Sequence, residues 1–309
     1  MKEKPTKNEI KLAVETFIET ENEFFETRYK SWATCHNFFK NLHDKNKSLS
    51  NDEKNLAMLH LGFYLASWGM YRGSSFTLKY DYNIYDEIVD ILFNENYYDL
   101  WDLGINDLQN ENTLVYIKSL RDAINEKLST YRNFSKNKSI LYDLEEDDKQ
   151  DSEVSQTLVT KILLGTVCCC PAYDTFFKSG IPTSCNDFYS DKKLSALLEY
   201  IKSEEKFEEL CKEHTEYPLM KLVDMAFFQI GLEKNFKEDY EKYILVEENL
   251  DKLDNATKDK KLKEIKKSIS QFYYKEGRGQ KTALLHTSFA NDSVKNNIDR
   301  FIEKYLKNN

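Results

Sequence analysis

A chain of 309 residues with only four prolines and no Asn-Gly or Asp-Gly pair has few places to reverse sharply. Tight β-hairpins need such turns, and no stretch alternates apolar and polar residues with period two. The period that recurs is helical. Leu12, Phe17, Phe24 and Phe25 are spaced for one face of a helix over 7–29. Trp32, Phe38, Phe39 and Leu42 mark a second helix, with Ser31 as its cap. Ser50, Asn51 and Asp52 offer caps for a third, running from Glu53 to Tyr71. Its Leu56, Leu59, Phe63, Leu65 and Trp68 make it the most apolar part of the N-terminal half, which places it centrally. Further helices are expected over Asp86 to Phe93, Leu114 to Tyr131, Leu194 to Leu210 and Leu219 to Ile230. A charged helix or helix pair spans Tyr240 to Tyr274, and Phe301, Ile302 and Tyr305 suit a short closing helix. The expectation is an all-α, multi-helix globular protein.

The 39 Phe and Tyr residues can fill a large core, and a charged fraction of 31% suits long helices with one solvated face. No run of about 18 apolar residues occurs, and the N-terminus MKEKPTKNEI lacks an apolar export segment. Six cysteines are too few for a disulfide framework. These features predict a cytoplasmic protein with reduced thiols and no membrane partner. The segment DLEEDDKQDSE, Asp143 to Glu153, carries seven acids and one lysine without periodicity. It reads as an exposed linker over 143–154 between an N-terminal lobe, 1–142, and a C-terminal lobe, 155–309.

Ser155 starts an apolar helix that leads into GTVCCCPAYDTFFKSG, Gly165 to Gly180. Cys168, Cys169 and Cys170 are adjacent, so on a helix they point about 100° apart and do not converge on one tetrahedral ion. Compact filling of a buried helix end is the reading for these thiols, and no metal or cofactor is expected. Pro171 suits a first helical position. Asp174 then falls in the first turn, where the positive helix end favours a carboxylate, structural or catalytic. Arg72, in SWGMYRGSSF, stands in an apolar surrounding between Gly69 and Gly73. Asp174 and Asp224 likewise stand alone among apolar residues. An internal Arg72, Asp174 and Asp224 network follows, either ordering the core or lining a pocket.

The net charge of -9 hides an asymmetry. Residues 255–309 hold 13 Lys and Arg against 6 Asp and Glu. Lys266, Lys267, Tyr273, Tyr274 and Arg278 mix cations with stacking rings, and Lys281 and His286 follow. Such a mixture suits a nucleic-acid backbone with stacked bases, so DNA, RNA or another polyphosphate is the expected partner. A non-catalytic protein-interaction or regulatory module is the alternative, with its protein partner unspecified.

The run Gly277-Arg278-Gly279-Gln280-Lys281-Thr282-Ala283 resembles the second half of the hairpin in helix-hairpin-helix DNA glycosylases, G-h-G-x-K-T-A, with Arg278 where the family has an apolar residue. The resemblance implies a glycosylase/lyase in which Lys281 attacks the sugar and Asp299 assists as the catalytic carboxylate.

Overall fold

A computed structural model describes residues 4–23, 29–45, 48–73, 75–101, 103–141, 154–250, 252–272, 296 and 300. It is all-α, with no strand among the described residues. The helices are α1 (Lys7–Glu23), α2 (Lys30–Asp44), α3 (Asn51–Ser67), α4 (Asp86–Leu92), α5 (Glu111–Leu141), α6 (Gln156–Gly165), α7 (Thr175–Gly180), α8 (Asp191–Ser203), α9 (Glu205–Glu213), α10 (Leu219–Leu250) and α11 (Asn255–Phe272). Short 3-10 turns fill much of the chain between α3 and α5. Among the described residues no helix is long and apolar enough to cross a membrane.

The chain divides into two compact units, each built from separate stretches of sequence. One comprises Met1–Thr27, Thr175–Ile181 and Met225–Asn309; the other comprises Arg28–Asp174 and Pro182–Asp224. This division differs from lobes split at the acidic segment, which lies outside the described residues.

The smaller unit is held by aromatic and glycine contacts. Ile10, Val14 and Phe17 of α1 and Phe227 and Phe228 of α10 are buried. The Phe17 and Phe176 rings each meet Phe228 edge-on, with centroids at 5.9 and 5.4 Å. α7 meets α10 backbone to backbone at two glycines. A Cβ on Gly180 would lie 2.1 Å from the Phe227 carbonyl oxygen, and one on Gly231 would lie 1.8 Å from that of Phe176. Only hydrogen fits there.

The larger unit packs α2, α3, α4, α5, α6 and α8 around a core that includes Trp32, Phe39, Leu61, Tyr64, Leu65, Ile88, Ile124 and Leu197. α6 is buried all round from Leu158 to Gly165, Thr160 and Lys161 included, in keeping with its mostly apolar sequence. Its cap is Ser155, whose Oγ accepts from the Leu158 amide. Ser50 and Glu53 close a capping box at the start of α3.

Several helix boundaries differ from the expected ones. α3 stops at Ser67 rather than Tyr71. Gly69 takes φ +74, its amide donates to the Ala66 carbonyl, and the Met70 amide donates to Leu65. That is the glycine-terminated Schellman turn. α3 is also not central on all sides, since Leu56, Leu59 and Phe63 are 47%, 45% and 69% exposed. Ser31 is not a cap: α2 begins one residue earlier, and Ser31 Oγ accepts from Ser67 Oγ at 2.7 Å and Trp68 Nε1 at 3.1 Å. The 194–210 helix is two, broken at Glu204. α10 runs on to Leu250, because nothing from Leu219 onward breaks it. α11 starts after Asp254, whose carboxylate accepts from the Thr257 amide at 3.0 Å.

Candidate functional site

Residues 166–174 join α6 to α7 without helical structure. Pro171 therefore does not open a helix, and the three cysteines lie beyond the end of α6. Cys168 has φ +58, a conformation that side chains with a Cβ rarely adopt. An irregular buried crossing must find partners for its backbone groups. The Tyr173 amide donates to Thr160 Oγ1 at 2.9 Å, and the Tyr173 carbonyl accepts from Thr157 Oγ1 at 3.0 Å. The Ala172 amide donates to Asp224 Oδ1 at 3.0 Å. The Thr166 carbonyl accepts from His36 Nδ1 at 2.7 Å, which fixes that imidazole's donor nitrogen. α6 supplies the threonines because every third or fourth residue faces the same way.

Four charges close the crossing. Lys161 Nζ on α6 lies 3.2 Å from Asp174 Oδ2, and Lys221 Nζ on α10 lies 3.2 Å from Asp224 Oδ2. Each ammonium also rests on an indole face, Lys161 at 4.5 Å from the centre of Trp68 and Lys221 at 5.0 Å from that of Trp32. The Trp32 indole N–H is anchored on the Leu164 carbonyl at 2.8 Å. Lys221 and Asp224 side chains are 2% and 8% exposed, and Asp174 reaches 16%. Burial pushes the Asp224 carboxyl above its ordinary value, and the charge of Asp174 adds to this. Lys221, Lys161 and the Ala172 amide oppose it. Burial likewise holds the Tyr64 phenol and the Cys168 and Cys170 thiols well above their usual ranges. Such thiols carry little thiolate and are chemically quiet.

The geometry brings Asp174 and Asp224 into one network, as the sequence suggested, and leaves Arg72 out. Arg72 is exposed; its guanidinium follows the turn at Gly69, with Nε 3.1 Å from where a Cβ on that glycine would sit. The Schellman turn ends α3 before Arg72 and carries it outward. The cations of the network are Lys161 and Lys221. Both stand as lone lysines in QTLVTKILLG and LMKLVDMAFF, the same isolation among apolar residues that marks the two aspartates. Tyr64 also belongs here: a Cβ on Gly165 would meet its ring at 2.3 Å. Two ion pairs, each with its ammonium on an indole face, fix the 166–174 crossing in place.

Among the described residues no group of three or more His, Cys, Asp or Glu could hold a metal ion. Lys266 and Lys267 fall within α11, while Tyr273, Tyr274, Arg278, Lys281, His286 and Asp299 lie outside the described residues. Lys260 and Lys263 are exposed, Lys258 and Lys261 are half-buried, and Leu262 turns inward at 7% exposure. Lys261 pairs with Glu264 at 3.4 Å. Comparisons of the chain with family models, curated proteins and solved structures gave no match.

Proposed function

We propose that this protein binds a nucleic acid or another polyphosphate through α11 and the basic sequence that follows it. The observation that carries the reading is the outward lysine set at the start of α11. Lys260 and Lys263 are one turn apart and exposed, with Lys258 and Lys261 beside them. α11 as a whole carries six lysines against two acids. The lysines at 161 and 221 contribute nothing to such binding, because each is already engaged by a carboxylate inside the protein. Ammonium groups on a helix surface attract phosphates mainly by releasing condensed counterions, so the reading predicts a strong dependence on salt and little on base sequence.

The test is fluorescence anisotropy with a labelled single-stranded oligonucleotide and, in parallel, with inorganic polyphosphate. Wild-type protein is expected to bind both at low salt, and the paired variant Lys260→Glu, Lys263→Glu is expected to bind each at least about tenfold more weakly. Equal binding by variant and wild type would remove α11 from the interface.

A further inference from the structure

Helix α11 holds its six lysines and two acids in an order that bears on which polyanion it takes. Successive residues of an α-helix turn by about 100° and rise by about 1.5 Å. Positions 260, 263 and 267, all lysine, therefore share one face and form a single line about 10 Å long. Lys260 and Lys263 are exposed, while Leu262, 7% exposed, marks the opposite, inward side. Both acids of the helix, Asp259 and Glu264, are exposed, and by register they stand about 70° to either side of the lysine line. The helix start does not require them: Asp254 caps it, and both acids lie past the first turn, where the helix dipole would favour a carboxylate. On one flank Glu264 pairs with the half-buried Lys261 at 3.4 Å. On the other, Lys266 follows Asp259 only two turns later, so beside Lys260 and Lys263 each flank carries a carboxylate.

We infer, resting on the reading that α11 binds phosphates, that its ligand presents a single row of them, as an unpaired nucleic-acid strand does, and that Asp259 and Glu264 turn duplex away. A helix about 10–12 Å across that enters the major groove, about 12 Å wide, has a phosphate rail along each flank. On α11 those flanks present Asp259 and Glu264, and like charges brought together oppose binding. Duplex also packs one charge per about 1.7 Å of its axis, against about 3.4 Å for one strand, which strengthens the repulsion. A single strand laid along the lysine line meets that line of cations and keeps its phosphates clear of both carboxylates. Attraction along the line and repulsion beside it together make a choice of partner that attraction alone does not. Linear polyphosphate shares the single row, and the helix accepts it on the same terms.

Fluorescence anisotropy with one labelled oligonucleotide, alone and annealed to its complement, tests this, with inorganic polyphosphate as a competitor. Wild type is expected to bind the unpaired strand at least about tenfold more tightly than the duplex at equal salt. The paired variant Asp259→Asn, Glu264→Gln changes exposed positions, and its circular dichroism is expected to match wild type. It is expected to close the gap to about threefold or less, because its gain in duplex binding exceeds its gain for the strand. Polyphosphate is expected to displace the strand, and the amount required, set against unlabelled strand, tells which of the two single-row ligands the helix favours. Equal or tighter binding of duplex by wild type, or a strand-to-duplex ratio unchanged in the paired variant, would overturn the inference and leave phosphate binding by α11 standing. A wild-type protein that binds none of these ligands would remove the proposed function itself, and the inference with it.

Discussion

Lys221 and Lys260 carry the same side chain and occupy opposite environments. Lys221 is 2% exposed, lies on the face of Trp32 and is paired with Asp224. Lys260 stands in solvent on α11. Burial of an ammonium costs several kcal/mol of hydration, which only a well-placed carboxylate and further hydrogen bonds offset. A lysine in water has no such cost, and its charge stays available to a ligand. Under the proposed function the inner lysines serve the fold and the outer ones serve binding, and each substitution should affect one property while sparing the other.

The largest expected effect comes from Lys221→Ala. It leaves Asp224 buried without its cation, and urea denaturation should show a loss of about 3–5 kcal/mol. Lys221→Met combined with Asp224→Leu removes both charges together and should recover much of that loss. A single variant as stable as wild type would break the comparison from the inner side. Gly231→Ala ranks next. Its methyl would need the space of the Phe176 carbonyl oxygen, 1.8 Å away, and that oxygen belongs to the backbone and cannot rotate aside. A loss of about 1–3 kcal/mol is expected from such overpacking, read from the same titration.

A smaller effect lies in the pH dependence. Asp224 has a raised carboxyl value in the folded protein, so the folded state binds more protons than the unfolded one above the ordinary aspartate value of about 3.9. As pH falls through its folded value, wild type should therefore gain stability relative to Asp224→Asn. Asp191, on the surface, behaves oppositely. Lys118 first, and Arg121 after it, hold its carboxyl below the usual range. Its contribution is present above about pH 4 and is lost as pH falls through the depressed value. Wild type should lose its advantage over Asp191→Asn at acid pH. Stability curves of the three proteins from neutral to acid pH would show the two differences running in opposite directions, and slopes of the same sign would contradict the assignment.

The all-α architecture was legible because helical periodicity dominates and turn residues are scarce. Ser50 and Ser155 announced two helix starts, since a hydroxyl ahead of an apolar run has a defined task at an N-cap. Asp174 and Asp224 were legible as partners because an isolated acid among apolar residues must find a cation. Sequence pointed to Arg72 as that cation and missed the lysines, because the Schellman turn at Gly69 depends on backbone conformation that one glycine in sequence only hints at. The irregular path at 166–174 was hidden for a similar reason: Cys168 adopts positive φ against its own preference, under constraint from contacts distant in sequence. The exposed face of α3 was missed because an apolar residue reads as buried in sequence, whether protein or solvent lies over it. Most of the basic segment's proposed contact residues, from Tyr273 to Asp299, lie outside the described residues.

The smallest expected effect on stability belongs to the α11 variants, within about 0.5 kcal/mol for exposed positions. They should have the largest effect on binding. The most direct measurement is the slope of log K against log salt for a single-stranded oligonucleotide, comparing wild type with Lys260→Glu, Lys263→Glu. If both lysines neutralise phosphates, the slope should become shallower by about 1.4, or about 0.7 for each phosphate no longer neutralised. An unchanged slope, or no wild-type binding at about 50 mM salt, would contradict polyphosphate binding through this helix.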